Sequence, residues 1–123
     1  MRNLESQEQQ ALFQWAELNK NKYPELGLMF HIPNGGKRNI TTAVRLKKEG
    51  VKSGIPDIFL PTARGNYHGL FIEMKAGKNP ETANQLRWIA ELTLEGYKAT
   101  TCRGWERAKD VILDYLRLSE GNN

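Results

Sequence analysis

Apolar residues recur at two different periods along this chain, and the switches between them define its elements. Between Glu5 and about Asn19, Leu4, Ala11, Leu12, Trp15 and Leu18 follow helical spacing, and Asn3 or Ser6 could cap the start. Pro24 ends that pattern. Leu28 to Ile32 is short and apolar and stops at Pro33-Asn34-Gly35-Gly36, which predicts a first strand. Thr41 to Glu49 reads as a short helix closed by Gly50. Two strand-like runs follow, Ile55 to Leu60 and Gly69 to Lys75, joined by a segment carrying Pro61, Gly65 and Asn66, and they should pair as an antiparallel hairpin. Asn79-Pro80 predicts a helix start, with Asn79 as cap, and Gln85, Trp88, Ile89 and Leu92 share one face as far as Gly96. Tyr97 to Cys102 predicts the last strand. Trp105, Ala108, Ile112, Tyr115 and Leu116 lie along one face of a closing helix. The order α, β, α, β, β, α, β, α implies an α/β fold, a mixed sheet flanked by helices on both sides. One domain is expected over residues 1–118, with a frayed tail at 119–123.

Composition narrows the function classes. The 123 residues include 39% hydrophobic and 26% charged positions, with three Trp, four Tyr and four Phe, enough to build one core and against disorder. No apolar run reaches the roughly 20 residues that span a bilayer, and Met1 to Gln10 lacks the apolar stretch of a secretion signal, so a cytoplasmic protein without membrane contact is expected. The single cysteine, Cys102, can form neither an internal disulfide nor a thiolate metal cluster, and inert packing is its expected role. The net charge of +4 favours polyanions. Lys37, Arg38, Arg45, Lys47, Lys48 and Lys52 lie in one segment against a single acid, Glu49, which makes the segment either a phosphate-contacting surface or a solvated helix face.

The hairpin carries the chemistry. Side chains alternate along a strand, so Leu70, Ile72 and Met74 take one face while Phe71, Glu73 and Lys75 take the other. A turn near Gly65 brings Asp57 opposite Glu73 to within about a residue of register. Two carboxylates facing each other repel unless one is protonated or a cation lies between them. Carboxylate oxygens without thiolates, and with only two histidines in the chain, point to a hard ion, Mg²⁺ or Mn²⁺. Such an ion acidifies water and stabilises charge on a phosphodiester, and Lys75 on the same face could orient the water or neutralise that charge. Phosphodiester hydrolysis is the reaction this set suits.

Pro56-Asp57, 15 intervening residues and Glu73-Met74-Lys75 resemble the PD-(D/E)xK nuclease signature. Around them, Glu8-Gln9, Pro33-Asn34-Gly35-Gly36, Gly50-Val51 through Gly54-Ile55-Pro56-Asp57, Phe71 to Lys75, and Gln85 resemble the VRR-NUC (virus-type replication-repair nuclease) family, over about Glu5 to Leu116. That resemblance implies a restriction-endonuclease-like PD-(D/E)xK core and a divalent-metal-dependent endonuclease acting on DNA. It implies Asp57 and Glu73 as metal ligands, the backbone carbonyl of Met74 as another, Lys75 as the catalytic lysine and Gln85 as the glutamine of the following helix. The family's acidic residue of the first helix matches Glu8, reaching the metal through water, with Glu5 one turn earlier as the alternative. Glu8 shares a face with Leu12 and Trp15, and Gln85 with Trp88 and Leu92, so each polar group needs a partner unless it simply marks a helix end. Small members of the family resemble stand-alone phage and bacterial enzymes, which implies a homodimer selective for branched DNA such as four-way (Holliday) junctions. Lys37, Arg38, Arg45 and Lys48 are the expected DNA contacts.

Two other classes stay open from sequence. One is a non-catalytic nucleic-acid-binding module of the same fold; the other is a nuclease acting on linear or single-stranded DNA. His31 and His68 lack metal-ligand spacing and are expected to bond to backbone. Gly35-Gly36-Lys37 lacks the earlier glycine and the following Ser or Thr of a phosphate loop, so no nucleotide cofactor is expected.

Overall fold

A computed structural model of the chain describes residues 4–33 and 39–120. Helices α1 (Leu4–Asn19), α2 (Ile40–Lys48), α3 (Ala83–Leu94) and α4 (Trp105–Leu116) and strands β1 (Phe30–His31), β2 (Ile58–Leu60), β3 (Leu70–Lys75) and β4 (Lys98–Arg103) occur in the expected order. A short 3-10 helix, Pro24–Leu28, is an addition. Pro24 fixes its first turn and Leu26 is buried, so Leu28 is drawn out of the first strand, which shortens to two residues.

The sheet runs β1-β2-β3-β4, antiparallel across the first two pairs and parallel across β3 and β4. A parallel pair needs a crossover, which α3 supplies. All six residues of β3 are buried, so this strand anchors the fold. Ile58, Leu60, Leu70, Ile72, Met74 and Cys102 meet Leu12 and Ala16 of α1 and Ala108, Val111, Ile112 and Tyr115 of α4 in one apolar core. The opposite face is aromatic at one end: Phe59 stacks on Phe71 at 4.3 Å and Tyr97 meets Phe71 edge-on at 5.2 Å. By strand alternation Glu73 and Lys75 continue that second face, and α3 reaches Glu73 from it through Gln85.

Several expectations are corrected by local chemistry. Leu18 is exposed, because six residues beyond Leu12 lie roughly 120° away round a helix of about 3.6 residues per turn. Ser6 lies inside α1 and cannot cap it; Asn3 lies outside the described residues. Helix α3 starts at Thr82, not Asn79, because Thr82 and Gln85 form a reciprocal capping box. The Asn79 amide instead donates to Glu5 Oε2 at 3.0 Å. Of the expected tail, Ser119 and Glu120 are tied down: the Ser119 carbonyl accepts the Gly65 N–H at 2.7 Å and Glu120 bridges Arg64. Among the described residues no helix is long and apolar enough to cross a membrane.

Candidate active site

The paired register ends at Ile58 and Ile72, one residue short of Asp57 and Glu73, so Asp57 leaves the strand end beside Glu73. Asp57 Oδ2 accepts the Met74 N–H at 2.8 Å. Gly69 and Lys75 turn their carbonyls toward β4, to the N–H groups of Lys98 and Gly104, each at 3.0 Å. Strand residues alternate in the neighbour they face, so Met74 directs its N–H and its carbonyl together toward β2. Pro56, which precedes Asp57, has no N–H to offer that carbonyl. The Asp57 carbonyl is held in turn by the Ile32 N–H at 2.7 Å and by His31 Nδ1–H at 2.8 Å.

Upstream, the approach to Asp57 is clamped by α3. The Asn84 amide donates to the Ser53 carbonyl at 2.7 Å and the Trp88 indole N–H to the same oxygen at 3.1 Å. Gly54, at φ +86°, turns the chain in a conformation that L side chains rarely adopt, and a Cβ there would stand 2.6 Å from the Asn84 amide nitrogen.

Glu73 is 2% exposed. Its Oε2 accepts a hydrogen bond from Gln85 Nε2 at 3.1 Å, while Oε1 is buried without a hydrogen-bond donor among the described residues. Burial, reinforced by the charge of Asp57, pushes the Glu73 carboxyl up to about 8, against the pull of the Lys75 ammonium. Burial raises Asp57 as well, offset by the Met74 N–H and the nearby His31. Lys75 is 4% exposed and makes no ion pair with a described carboxylate. The arrangement needs a positive charge: two crowded carboxyl groups and an orphaned buried oxygen are satisfied by a shared proton or by a cation. Among the described residues no three Asp, Glu, His or Cys side chains converge as a metal cage. A metal that keeps several waters and accepts phosphate oxygens, as Mg²⁺ does, fits this sparse donor set of two carboxylates and a free-facing carbonyl.

A family model described as the VRR-NUC domain matches residues 2–106. The chain belongs to the VRR-NUC family. A solved structure described as a "VRR_NUC domain protein" is similar to it with a TM-score of 0.83 and 31% identity, over 99% of this chain and 95% of that one. Among curated proteins none matches. The mixed four-stranded sheet flanked by helices is thus the VRR-NUC fold, consistent with a PD-(D/E)xK core, and the family is of nuclease type.

Within this VRR-NUC domain the sequence-derived residues fall into three groups. Asp57, Glu73, Lys75, the Met74 backbone and Gln85 come together. Glu8 is engaged elsewhere: its Oε1 accepts the Trp105 N–H at 2.8 Å and so caps α4, whose N-cap residue, Gly104, has no side chain to do so. Glu5, the alternative, is the α1 acid whose charge bears on both Asp57 and Glu73. The expected DNA contacts separate too. Arg45 pairs with Glu49 at 3.2 Å on an exposed helix, Lys48 is exposed, and Lys37 and Arg38 lie outside the described residues. His31 and the Asn84–Ser53 clamp were not legible as site features, because each acts through a backbone carbonyl of a residue distant in sequence. Cys102 is buried and burial lifts its thiol to about 11, which fits inert packing.

Proposed function

We propose that this VRR-NUC domain is a divalent-metal-dependent endonuclease that hydrolyses DNA phosphodiester bonds. The observation that carries the reading is the convergence of Asp57 and Glu73 around an unsatisfied buried oxygen beside Lys75. Asp57, Glu73 and the Met74 carbonyl would hold Mg²⁺ or Mn²⁺; when bound, such an ion stabilises charge on the phosphodiester and acidifies water. The chain does the rest. The Met74 N–H fixes Asp57, and Gln85 fixes the orientation of Glu73. The Lys75 ammonium, on the Glu73 face, neutralises charge that grows on the phosphate oxygens as the bond to the leaving oxygen breaks. Glu5 rather than Glu8 supplies the further acidic group from α1.

Selectivity for branched DNA such as four-way junctions, and action as a homodimer, extend this proposal from the resemblance to small stand-alone family members. Two sites related by a two-fold axis suit paired incisions on a symmetric junction. The test is cleavage of end-labelled four-way, linear and single-stranded DNA with Mg²⁺ or Mn²⁺, against chelator and against Lys75→Ala, with the mass in solution measured alongside. Metal-dependent cutting abolished by Lys75→Ala is expected. DNA binding by the wild-type protein without cleavage under either metal would overturn the proposal in favour of a non-catalytic binding module.

A further inference from the structure

Helix α2 buries none of its residues, yet it stands beside α3 and leaves an open cleft of about 1010 Å³ between them. Among the residues lining this cleft is Gln85, which holds Glu73. Lys47 and Lys52 line it from the α2 side and Arg87 from α3, and no carboxylate is among its described lining residues. None of these three cations is in an ion pair among the described residues, in contrast to Arg45 on the same helix as Lys47. The half-buried indole of Trp88 forms part of the wall, its N–H anchored on the Ser53 carbonyl at 3.1 Å, so the ring is held rather than free to swing. Arg87 is likewise positioned, donating to Asn84 Oδ1 at 3.2 Å.

A fixed aromatic ring beside unpaired cations is the combination that holds unpaired nucleic acid: cations track the phosphates and bases stack on the ring, whatever their sequence. The volume lies at the top of the range of small-ligand clefts, roughly 300–1,000 Å³, which is room for a few nucleotides of one strand. We propose that the α2–α3 cleft binds an unpaired stretch of the substrate strand, with its phosphates on Lys47, Lys52 and Arg87 and a base against Trp88. The inference rests on the nuclease reading for the identity of the strand as substrate, and it connects that strand to the Asp57–Glu73 pair through Gln85. Branched DNA with unpaired nucleotides next to the cut is then engaged better than the same branch fully paired.

The test separates binding from chemistry by working in chelator. A labelled oligothymidylate of about 12 nucleotides and a duplex of the same length are titrated into wild-type protein, the Lys47→Ala/Lys52→Ala/Arg87→Ala variant and Trp88→Phe. For single strands the log–log salt slope is about −0.7 per phosphate contacted, so the triple variant should flatten the slope by about 2. Trp88→Phe, which keeps a ring to stack on, should weaken single-strand binding less than the triple variant and lose the tryptophan quenching expected of wild type, with Trp15 and Trp105 still present. Equal affinity for the duplex, or an unchanged slope and affinity in the triple variant, would overturn the cleft. Metal-dependent cleavage by wild-type protein in that case leaves the nuclease reading standing. The reverse result, strand binding that needs the three cations but no cleavage with any metal, supports the cleft and removes the nuclease.

Discussion

Gln85 donates to Glu73 Oε2 at 3.1 Å because its own side-chain oxygen is already occupied, accepting the Thr82 N–H at 2.9 Å in the capping box of α3. Helix capping therefore decides which end of the amide faces the site. Gln85→Ala should cost about 1 kcal/mol of stability through the cap and lower metal affinity or activity roughly 10–100-fold through Glu73. Thr82→Ala breaks the same box without touching Glu73. It should show a similar stability loss in thermal unfolding and a much smaller loss in cleavage rate. Equal activity losses in the two variants would remove the orienting role of Gln85.

The two acids of the first helix make a second, separable pair. Glu8 caps α4 through the Trp105 N–H, so Glu8→Ala should destabilise by about 1 kcal/mol with little change in metal affinity. Glu5→Gln keeps its hydrogen-bonding shape toward Asn79 while removing the charge felt by Asp57 and Glu73. It should leave the melting temperature nearly unaltered and weaken Mg²⁺ binding measured by calorimetry. The opposite assignment of effects would return the site role to Glu8.

This pair also shows where sequence reading stops. The hairpin was legible because strand alternation and one turn determine what Asp57 faces, and the observed pairing runs to Ile58 and Ile72, one residue short of Asp57 and Glu73. Gln85 was suggested by the family resemblance, with its place on an apolar helix face in support, and it serves both the helix start and Glu73. Glu5 and Glu8, three residues apart, share one side of α1, so their partners depend on how α1 packs against α4 and the loop at Asn79. Packing of that kind joins residues far apart in the chain and leaves no local period. The start of α3 was misplaced by a related ambiguity: Asn79-Pro80 and Thr82 to Gln85 both carry start signals, and only the second closes reciprocal hydrogen bonds.

The Gly54 corner offers a third measurement. At φ +86°, with Asn84 where a Cβ would be, Gly54→Ala carries both a backbone penalty of roughly 1–2 kcal/mol and a clash that pushes the strand away from α3. Asp57 lies three residues on, so the displacement should reach the dyad. The expected result is a lower melting temperature together with weaker Mg²⁺ binding. Asn84→Ala relieves the clash, and the double variant should recover part of the stability of Gly54→Ala. Failure of any recovery would mean that the backbone conformation alone makes the glycine necessary.

The proton on Glu73 makes stability and metal binding depend on pH in opposite ways. In the metal-free protein its carboxyl titrates at about 8 against an ordinary 4.5, so between those values the folded protein holds a proton that the unfolded chain has released. The contribution is complete below about pH 4.5 and is lost progressively as pH rises to about 8, on the order of a few kcal/mol. Asp57, also raised, acts in the same direction. In chelator the melting temperature should therefore fall across this window, and Glu73→Gln, neutral at every pH, should remove most of the slope. A divalent ion has to displace the same proton, so its affinity should strengthen with pH up to about 8, with proton release detectable below that as a buffer-dependent binding enthalpy. Parallel stability curves for wild type and Glu73→Gln, or Mg²⁺ binding indifferent to pH, would show that the carboxyl pair is not coupled as its geometry requires.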